Sequence, residues 1–339
     1  MNAPLPPIEP RRGFLWRAVG AALVALAILV LALMWWWDHE PDRFDVVQRA
    51  EAHASRHGHR QLTGTVTTAT LIEVAQTMLD KRGGYLSNDI LPPGVIMDNV
   101  PNWEFGVLVQ VRDLAKAFRN EFSRSQTQST EDQDLMEADP KFSFSSDRWL
   151  LPSTESQYRK AIGHVEGYLT RLGDDDDTNA QFYVRADNLA DWLQVVEKRL
   201  GDLSQRLSAS VGQVRIDTDL GGDRNATQTK PAPELQEIKT PWLEIDDVFY
   251  EARGATWALW HFLKAVEKDF EPVLRDKNAL VSLRQIIREL EEAQTGVWSP
   301  MILNGSQFGF FANHSLVMAN YISRANAAII DLRKLLERG

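Results

Sequence analysis

Long stretches of the chain repeat apolar residues every three or four positions, the spacing of amphipathic helices. In one series, steps of four and three alternate through Phe182, Ala186, Leu189, Leu193, Val196, Leu200, Leu203 and Leu207. A second series runs through Ile245, Phe249, Ala252, Thr256, Leu259, Leu263, Val266 and Phe270. Heptad spacing places these residues along one helix face, so each series predicts a coiled-coil-like seam that needs a partner helix.

Shorter apolar stripes supply such partners. They comprise Tyr158, Ile162, Val165, Leu169 and Leu172; Leu280, Leu283, Ile287 and Leu290; and Met318, Tyr321, Ala325, Ala328, Leu332 and Leu335. The strict alternation of apolar and polar residues that is typical of strands is nearly absent. The pattern therefore predicts an all-α fold, in which a bundle of long antiparallel helices follows an N-terminal transmembrane helix.

The transmembrane helix is predicted from residues 18–37, which carry no charge and end in three tryptophans. At about 1.5 Å rise per residue, this run spans a hydrocarbon layer of roughly 30 Å. A cleaved signal peptide is the competing interpretation, but its apolar part covers only about 7 to 15 residues and ends at small side chains. The length and the bulky indoles favour an uncleaved anchor, with membrane lipid as its partner.

Charges on either side of the anchor indicate its orientation. Arginines precede it at positions 11, 12 and 17, and acidic residues follow it at positions 38, 40 and 42. Because positive charge is retained in the cytoplasm, residues 1–17 are predicted to be cytoplasmic and the bulk of the chain periplasmic. The prediction is a single-pass inner-membrane protein.

The exterior region divides at a polar stretch rich in glycine and proline. Residues 217–240 read as a linker or loop, because they cannot extend either neighbouring helix. Residues 38–216 then form an N-terminal helical part and residues 241–339 a C-terminal helical part. Whether these two parts pack as one domain or two stays open at this level.

Composition excludes several classes of chemistry. The chain has no cysteine, which removes thiol nucleophiles, disulfides, cysteine-ligated zinc and iron–sulfur clusters. Its net charge of −10 argues against nucleic acid as a partner, since binding to phosphates needs a surplus of lysine and arginine. No Gly-x-x-x-x-Gly-Lys nucleotide loop or Gly-x-Ser-x-Gly elbow occurs. We expect no cofactor.

Two long loops are unusually apolar, at residues 83–103 and 295–313. They could fold back to cap the ends of the bundle, or they could form a groove for an apolar ligand or another envelope protein. On the second interpretation, the candidate ligand-binding residues are Tyr85, Trp103, Trp298 and Phe310.

Several short motifs resemble those of the bacterial domain-of-unknown-function family 2333. They are Gly83-Gly84-Tyr85-Leu86-Ser87-Asn88-Asp89, Pro92-Pro93-Gly94, Asn102-Trp103-Glu104-Phe105-Gly106 and Phe249-Tyr250-Glu251-Ala252-Arg253-Gly254. The resemblance covers nearly the whole chain. It implies the inner membrane of a Gram-negative cell and carries over no catalytic residues.

Titratable clusters offer little support for chemistry. His53, His57 and His59 have a spacing that zinc sites use, but no cysteine or clear supporting carboxylate accompanies them, so we expect no metal site. Glu104 and Glu251 lie beside aromatic residues, as the acid of a glycosidase does. Glutamates of this kind usually pair with an arginine, here for instance Arg112 or Arg253. We therefore expect no catalytic residues and no enzyme.

The favoured hypothesis is a non-catalytic periplasmic domain that acts as a scaffold or interaction module, with an envelope protein or a second copy as its partner. The alternative is a lipid- or glycan-binding protein that uses the two apolar loops. A glycan-cleaving enzyme is the third hypothesis.

Overall fold

The computed structural model describes residues 12–58, 60–125, 130–174, 176, 179–216, 235–297, 299, 301–306 and 309–338. The helices are α1 Arg12–Trp37, α2 Val46–His57, α3 Thr65–Asp80, α4 Asn99–Ala117, α5 Gln133–Phe142, α6 Thr154–Leu172, α7 Ala186–Ser208, α8 Ile245–Asp269, α9 Glu271–Asp276, α10 Leu280–Glu292 and α11 His314–Glu337. Two short strands, β1 Gln213–Ile216 and β2 Leu235–Ile238, pair antiparallel. The predicted all-α architecture is confirmed, with this small hairpin as an addition.

At the starts of α2, α4, α5, α6 and α11, a side chain accepts hydrogen bonds from amides that have no partner within the helix. Asp45 accepts from the amides of Val47 and Gln48 at the start of α2. Asn313 does the same for Leu316 at the start of α11. These local signals set where the helices begin.

Several pairs of neighbouring helices run antiparallel. On α7 and α11, Glu197 pairs with Arg333, whereas Ser204, further along α7, contacts the carbonyl of Ala319, which is earlier on α11. The same reversal relates α8 to α10 and α5 to α6, where Asp134 contacts His164 and Phe142 contacts the earlier Tyr158. The predicted bundle is therefore built largely from antiparallel pairs, whereas α4 and α8 run parallel: Asn102 contacts Asp247 at their starts, and the Phe122 and Phe270 rings meet just beyond their ends, with centroids 5.4 Å apart.

Helix α8 occupies the centre of the bundle. All eight positions of its predicted seam are buried, as are residues on its other faces, including Trp257, Ala258 and Phe262. Helices α3, α4, α7, α10 and α11 all contact it. In α7 the seam from Leu189 to Leu207 is also buried, but Phe182 precedes the helix rather than opening it. The heptad pattern thus identifies one face of α8 and misses that the helix is enclosed.

Helices α4 and α8 approach each other so closely that their backbones touch. A Cβ atom on Gly254 would lie 2.0 Å from the carbonyl oxygen of Trp103, and one on Gly106 would lie 2.0 Å from the carbonyl oxygen of Glu251. Asn102 donates a hydrogen bond to Asp247 across the same interface, with 2.7 Å between the atoms. Two of the motifs that carry the family resemblance, residues 102–106 and 249–254, therefore form this crossing, and only glycine fits at positions 106 and 254.

The parts of the chain on either side of residues 217–240 share one hydrophobic core. Helix α4 packs on α8, and α7 packs on α11. Residues 217–234 lie outside the described residues, and β2 occupies the end of the segment predicted as a linker.

Candidate membrane-proximal site

Helix α1 contains the segment Trp16–Trp37, the one described helix that is long and apolar enough to cross a membrane. None of its most apolar window is buried against the rest of the protein. Residues 38–45, which we call the strap, lead from the end of α1 to α2 without forming a helix. The contacts of the strap decide how the helical body is positioned relative to α1.

The first attachment of the strap is an ion pair between Glu40 and Arg253. The Nε of Arg253 donates to both Glu40 carboxylate oxygens, at 2.6 and 2.9 Å. Its Nη1 donates to the carbonyl oxygens of Thr295, at 2.9 Å, and of Ala293, at 3.3 Å. Arg253 is only 7% exposed. One buried guanidinium from α8 therefore joins the strap to the end of α10 and the loop that follows it.

The second attachment is Phe44, which docks on His261 of α8. The Phe44 ring stacks on the imidazole with centroids 4.0 Å apart, and its backbone N–H donates to Nε2 at 3.1 Å. The His261 Nδ1 lies 2.8 Å from the carbonyl oxygen of Trp257. These partners assign the neutral tautomer with its proton on Nδ1. Burial lowers the pKa of His261 to about 3, so the ring stays an acceptor for Phe44.

Between these two points, Arg43 reaches the surface of α8 and α10. Its guanidinium lies 5.0 Å from the centre of the Trp260 ring and pairs with Glu291 at 2.9 Å. Both charged groups are partly exposed, so this contact adds little stability by itself. With the Arg43 contacts and with Asp45, which caps α2, the strap is attached along its length.

The end of α1 also contacts the body directly. The guanidinium of Arg82 lies 4.5 Å from the centre of the Trp36 ring, a cation–π contact. Gly83 has φ +85°, and a Cβ there would lie 2.8 Å from the Trp37 ring. The turn after α3 therefore rests against the last residues of the apolar helix.

An open cleft of about 430 Å³ lies between the strap and α3. Its walls include Glu40, Asp42, Glu73, Asp80, Lys81 and Arg82. On the other side of the strap, burial and the carboxylates of Asp38 and Glu40 raise the pKa of Tyr250 to about 12. Burial also raises the pKa of Asp38 itself. The region where the strap leaves α1 is therefore rich in carboxylates and partly desolvated.

The two glutamates weighed as acids are both engaged by cations. Glu104 is fully buried, pairs with Lys81, and accepts hydrogen bonds from the amides of Leu86 and Ser87, each at 2.8 Å. Glu251 pairs with Arg206 of α7, one of whose nitrogens lies 2.8 Å away. The expectation that Arg112 or Arg253 would be the partner is wrong.

Arg112 and Arg253 bind other groups instead, because each donates to acceptors that are buried or partly buried. Arg112 donates to the carbonyl oxygens of Phe142 and Phe144, each at 2.7 Å. Arg253 holds the strap. Glu104 organises residues 83–89 around a buried carboxylate, and this accounts for the Gly-Gly-Tyr-Leu-Ser motif as a structural element.

The four candidate ligand-binding residues occupy different environments. Tyr85 is buried, and its hydroxyl donates to the Ser146 carbonyl oxygen at 2.9 Å. Trp103 lies in α4 rather than in a loop, and its ring is 5.2 Å from that of Trp257. Phe310 is fully exposed. Trp298 lies outside the described residues. Tyr85 and Trp103 thus share the core, Phe310 lies at the surface, and ligand binding stays a prediction.

The two apolar loops contact different parts of the molecule. Residues 96 and 97 line a small cleft against the end of α1. Residues 295–297 line a cavity of about 280 Å³ with Phe249, His314, Met318 and Tyr321. Each of these cavities is lined by one loop and not by the other.

Neither the strap nor the two α8 residues that bind it, Arg253 and His261, were predicted from the sequence. The available signal was the presence of Arg253 and His261 within residues 252–263 of α8, a stretch that is otherwise uncharged, because buried polar residues need specific partners. Nothing local indicates that Glu40 and Phe44, more than 200 positions away, would be those partners.

No group of three or more His, Asp or Glu side chains that could hold a metal ion occurs in the described part of the chain. His59 of the histidine cluster lies outside it.

Comparison with known proteins identifies a family but no characterised relative. No curated protein and no solved structure matches the chain. A family model described as "Uncharacterized protein conserved in bacteria (DUF2333)" matches residues 9–339. The motifs at the α4–α8 crossing, around Glu104 and at Arg253 lie within that match. The chain therefore belongs to this bacterial family, as the motif resemblance predicted.

Proposed function

We propose that the protein is a single-pass inner-membrane protein whose helical body lies in the periplasm and acts as a non-catalytic scaffold or interaction module. The observation that carries this proposal is the strap. A body tethered only to remain near the membrane needs no fixed geometry, whereas this one is attached to its anchor at Glu40, Arg43 and Phe44. A fixed orientation suits a protein that presents a defined surface to a partner.

The orientation across the membrane rests on charge. Three arginines precede the apolar helix, and the 302 residues after position 37 carry 34 basic and 46 acidic groups, a net charge of −12. The positive-inside rule then assigns the short N-terminus to the cytoplasm. The contacts of Trp36 with Arg82 and of Trp37 with Gly83 support an anchor that is retained, because they belong to the folded protein.

Topology is testable because the chain lacks cysteine, so each introduced cysteine is unique. We suggest Asn2→Cys and Val281→Cys, the latter at a 78% exposed position on α10. A membrane-impermeant maleimide added to cells with a permeabilised outer membrane should label position 281 and not position 2. Labelling of position 2 alone would overturn the orientation. A mature protein that lacks the apolar helix would overturn the anchor.

The scaffold role predicts a reproducible partner. In-cell crosslinking followed by purification of the full-length protein should recover one envelope protein or a second copy of this chain. Arg253→Ala should weaken that crosslink while the protein remains in the membrane, because the body loses its fixed orientation. Arg275→Ala is the matched control, since it removes an exposed arginine from a pair with Glu271 on α9. A wild-type protein that is strictly monomeric and partnerless after crosslinking would contradict the proposal.

Binding of an apolar ligand is the second candidate. It is supported by the cavity of about 280 Å³ beside residues 295–297, which Phe249, Met318 and Tyr321 line. Its volume is slightly below the range for ligand pockets, about 300 to 1,000 Å³, which is why we place it second. Native mass spectrometry of the protein released from mild detergent tests it: a co-purifying lipid or glycan mass is expected, and a clean apo mass would contradict it.

A further inference from the structure

Seven large apolar side chains are exposed on two loops of the body. In the first loop, Ile90 is 50%, Leu91 71%, Val95 55% and Ile96 57% exposed. In the second, Trp149 is 52%, Leu150 57% and Leu151 93% exposed. We call these seven residues the apolar rim. A cluster of this kind is uncommon on a surface that faces only water.

Hydrogen bonds hold the two loops side by side. The side-chain amide of Asn88, just before the first loop, donates to the carbonyl oxygen of Arg148 at 3.0 Å and to Glu155 at 2.8 Å. Tyr85 donates to the carbonyl oxygen of Ser146. Both loops are therefore anchored in folded structure up to the residues that expose apolar side chains, and the two exposed segments begin next to each other.

The first loop lies at the depth of the last turn of the apolar helix. Ile96 and Met97 line a cleft of about 150 Å³ together with Met34, Trp35 and Asp38. Tryptophans at the end of a membrane-spanning helix lie in the interfacial layer, between hydrocarbon and water. Side chains level with Met34 and Trp35 therefore lie at that interface whenever α1 spans the bilayer.

We propose that the apolar rim inserts into the interfacial layer of the bilayer that α1 crosses, as a second membrane contact of the same chain. This inference rests on the membrane anchoring in the proposed function. The occupant is a lipid surface because Ile96 of the rim lines a cleft with Met34 and Trp35 at the end of α1. Insertion is apolar rather than electrostatic, since the body is strongly acidic and would be repelled by anionic lipid.

The rim explains how the anchor and the strap work together. A single helix leaves the body free to rotate about the helix axis and to tilt. A second insertion point, displaced from that axis and rigidly linked to it through Arg82, Gly83 and the strap, removes that freedom. The face of the body opposite the rim then points away from the membrane in one orientation.

The test uses full-length protein in vesicles of phosphatidylcholine, labelled with the environment-sensitive fluorophore NBD at one introduced cysteine. The rim position is Leu91→Cys, and Trp149→Cys probes the second loop. Because both side chains are exposed, these substitutions leave the core intact. Spin-labelled phosphatidylcholine with its nitroxide near the headgroup should quench both probes, and their emission should shift to the blue.

Val281→Cys is the matched control, because its side chain is as exposed as that of Leu91. It lies near Arg284, which contacts Glu267 of α8. Glu267 is roughly 21 Å along that helix from Arg253, at 1.5 Å per residue. The control probe should show water-like emission and only background quenching.

A probe within the anchor separates the two proposals. Ala27→Cys in the middle of α1 should be quenched by a nitroxide placed deep in the acyl chain. Quenching at position 27 with none above the control at positions 91 and 149 would overturn the rim alone. No quenching at position 27 would overturn the anchor. High salt should leave the signals at positions 91 and 149 unchanged, and their loss in salt would refute apolar insertion.

Discussion

The crossing of α4 and α8 should make one substitution, glycine to alanine, act in opposite directions at two sites. At Gly254 the new Cβ would lie 2.0 Å from the carbonyl oxygen of Trp103, a backbone atom that moves only if the two helices separate. At Gly163, within α6, nothing lies within 4 Å of the corresponding Cβ. Any general effect of alanine on helices is common to both variants.

The expected magnitudes follow from these distances. Alanine is favoured over glycine inside a helix by roughly 0.5 to 1 kcal/mol, so Gly163→Ala should raise the free energy of unfolding by that amount. At Gly254 the same gain is opposed by overpacking, which costs about 1 to 3 kcal/mol, and a backbone contact belongs at the upper end of that range. Gly254→Ala should therefore lower the free energy of unfolding by about 1 to 2 kcal/mol.

Urea unfolding of the full-length protein in detergent micelles, followed by far-ultraviolet circular dichroism, measures both variants against the wild type. The denaturant midpoint should move up for Gly163→Ala and down for Gly254→Ala. If Gly254→Ala is as stable as the wild type, or if both midpoints move in the same direction, the close approach of the two helices is not what requires glycine at this position.

Three further predictions use the same unfolding measurement. Through His261 alone, the free energy of unfolding should fall by about 2 kcal/mol between neutral pH and pH 5, because the unfolded histidine takes up a proton below its ordinary pKa of 6.5 while burial lowers the pKa in the folded protein to about 3. His261→Gln should flatten this pH dependence, and an unchanged slope would contradict the assignment. Glu104→Gln should cost about 3 kcal/mol, because Lys81 keeps a buried charge without its carboxylate; the reasoning fails if adding Lys81→Met recovers none of the loss. Gly106→Ala combined with Gly254→Ala should cost less than the sum of the single effects, since either one separates the same helices, and strict additivity would speak against a shared contact.

Much of the secondary structure was predictable because its causes are local. The seam positions of α8 and those of α7 from Leu189 onward are buried as the heptad spacing predicts, since a helix places residues three and four positions apart on one face. Loop boundaries were less predictable. Residues 99–103 look like loop because of Pro101, yet they begin α4, where proline is tolerated in the first turn.

The membrane-proximal site was not predictable in the same way. Arg253 could be recognised as unusual within the otherwise uncharged middle of α8, but its partner Glu40 lies 213 positions away. Glu104 could be recognised as a carboxylate among aromatic side chains, yet its cation is Lys81 rather than an arginine. A buried charge requires a partner, but which partner it meets depends on how distant helices pack.

By itself, the sequence determined the apolar helix, the helical class and the faces that would be buried, because length, periodicity and composition act within one or two turns of chain. Only the tertiary structure decided that α8 is enclosed, that Gly106 and Gly254 bring two backbones into contact, and that the strap binds Arg253 and His261. These features depend on which helix surfaces meet between residues that are far apart in the sequence. Patterns within one or two helical turns do not specify those contacts. The apolar rim shows the same division, since its residues are visible in the sequence but the position of Ile96 beside the end of α1 is not.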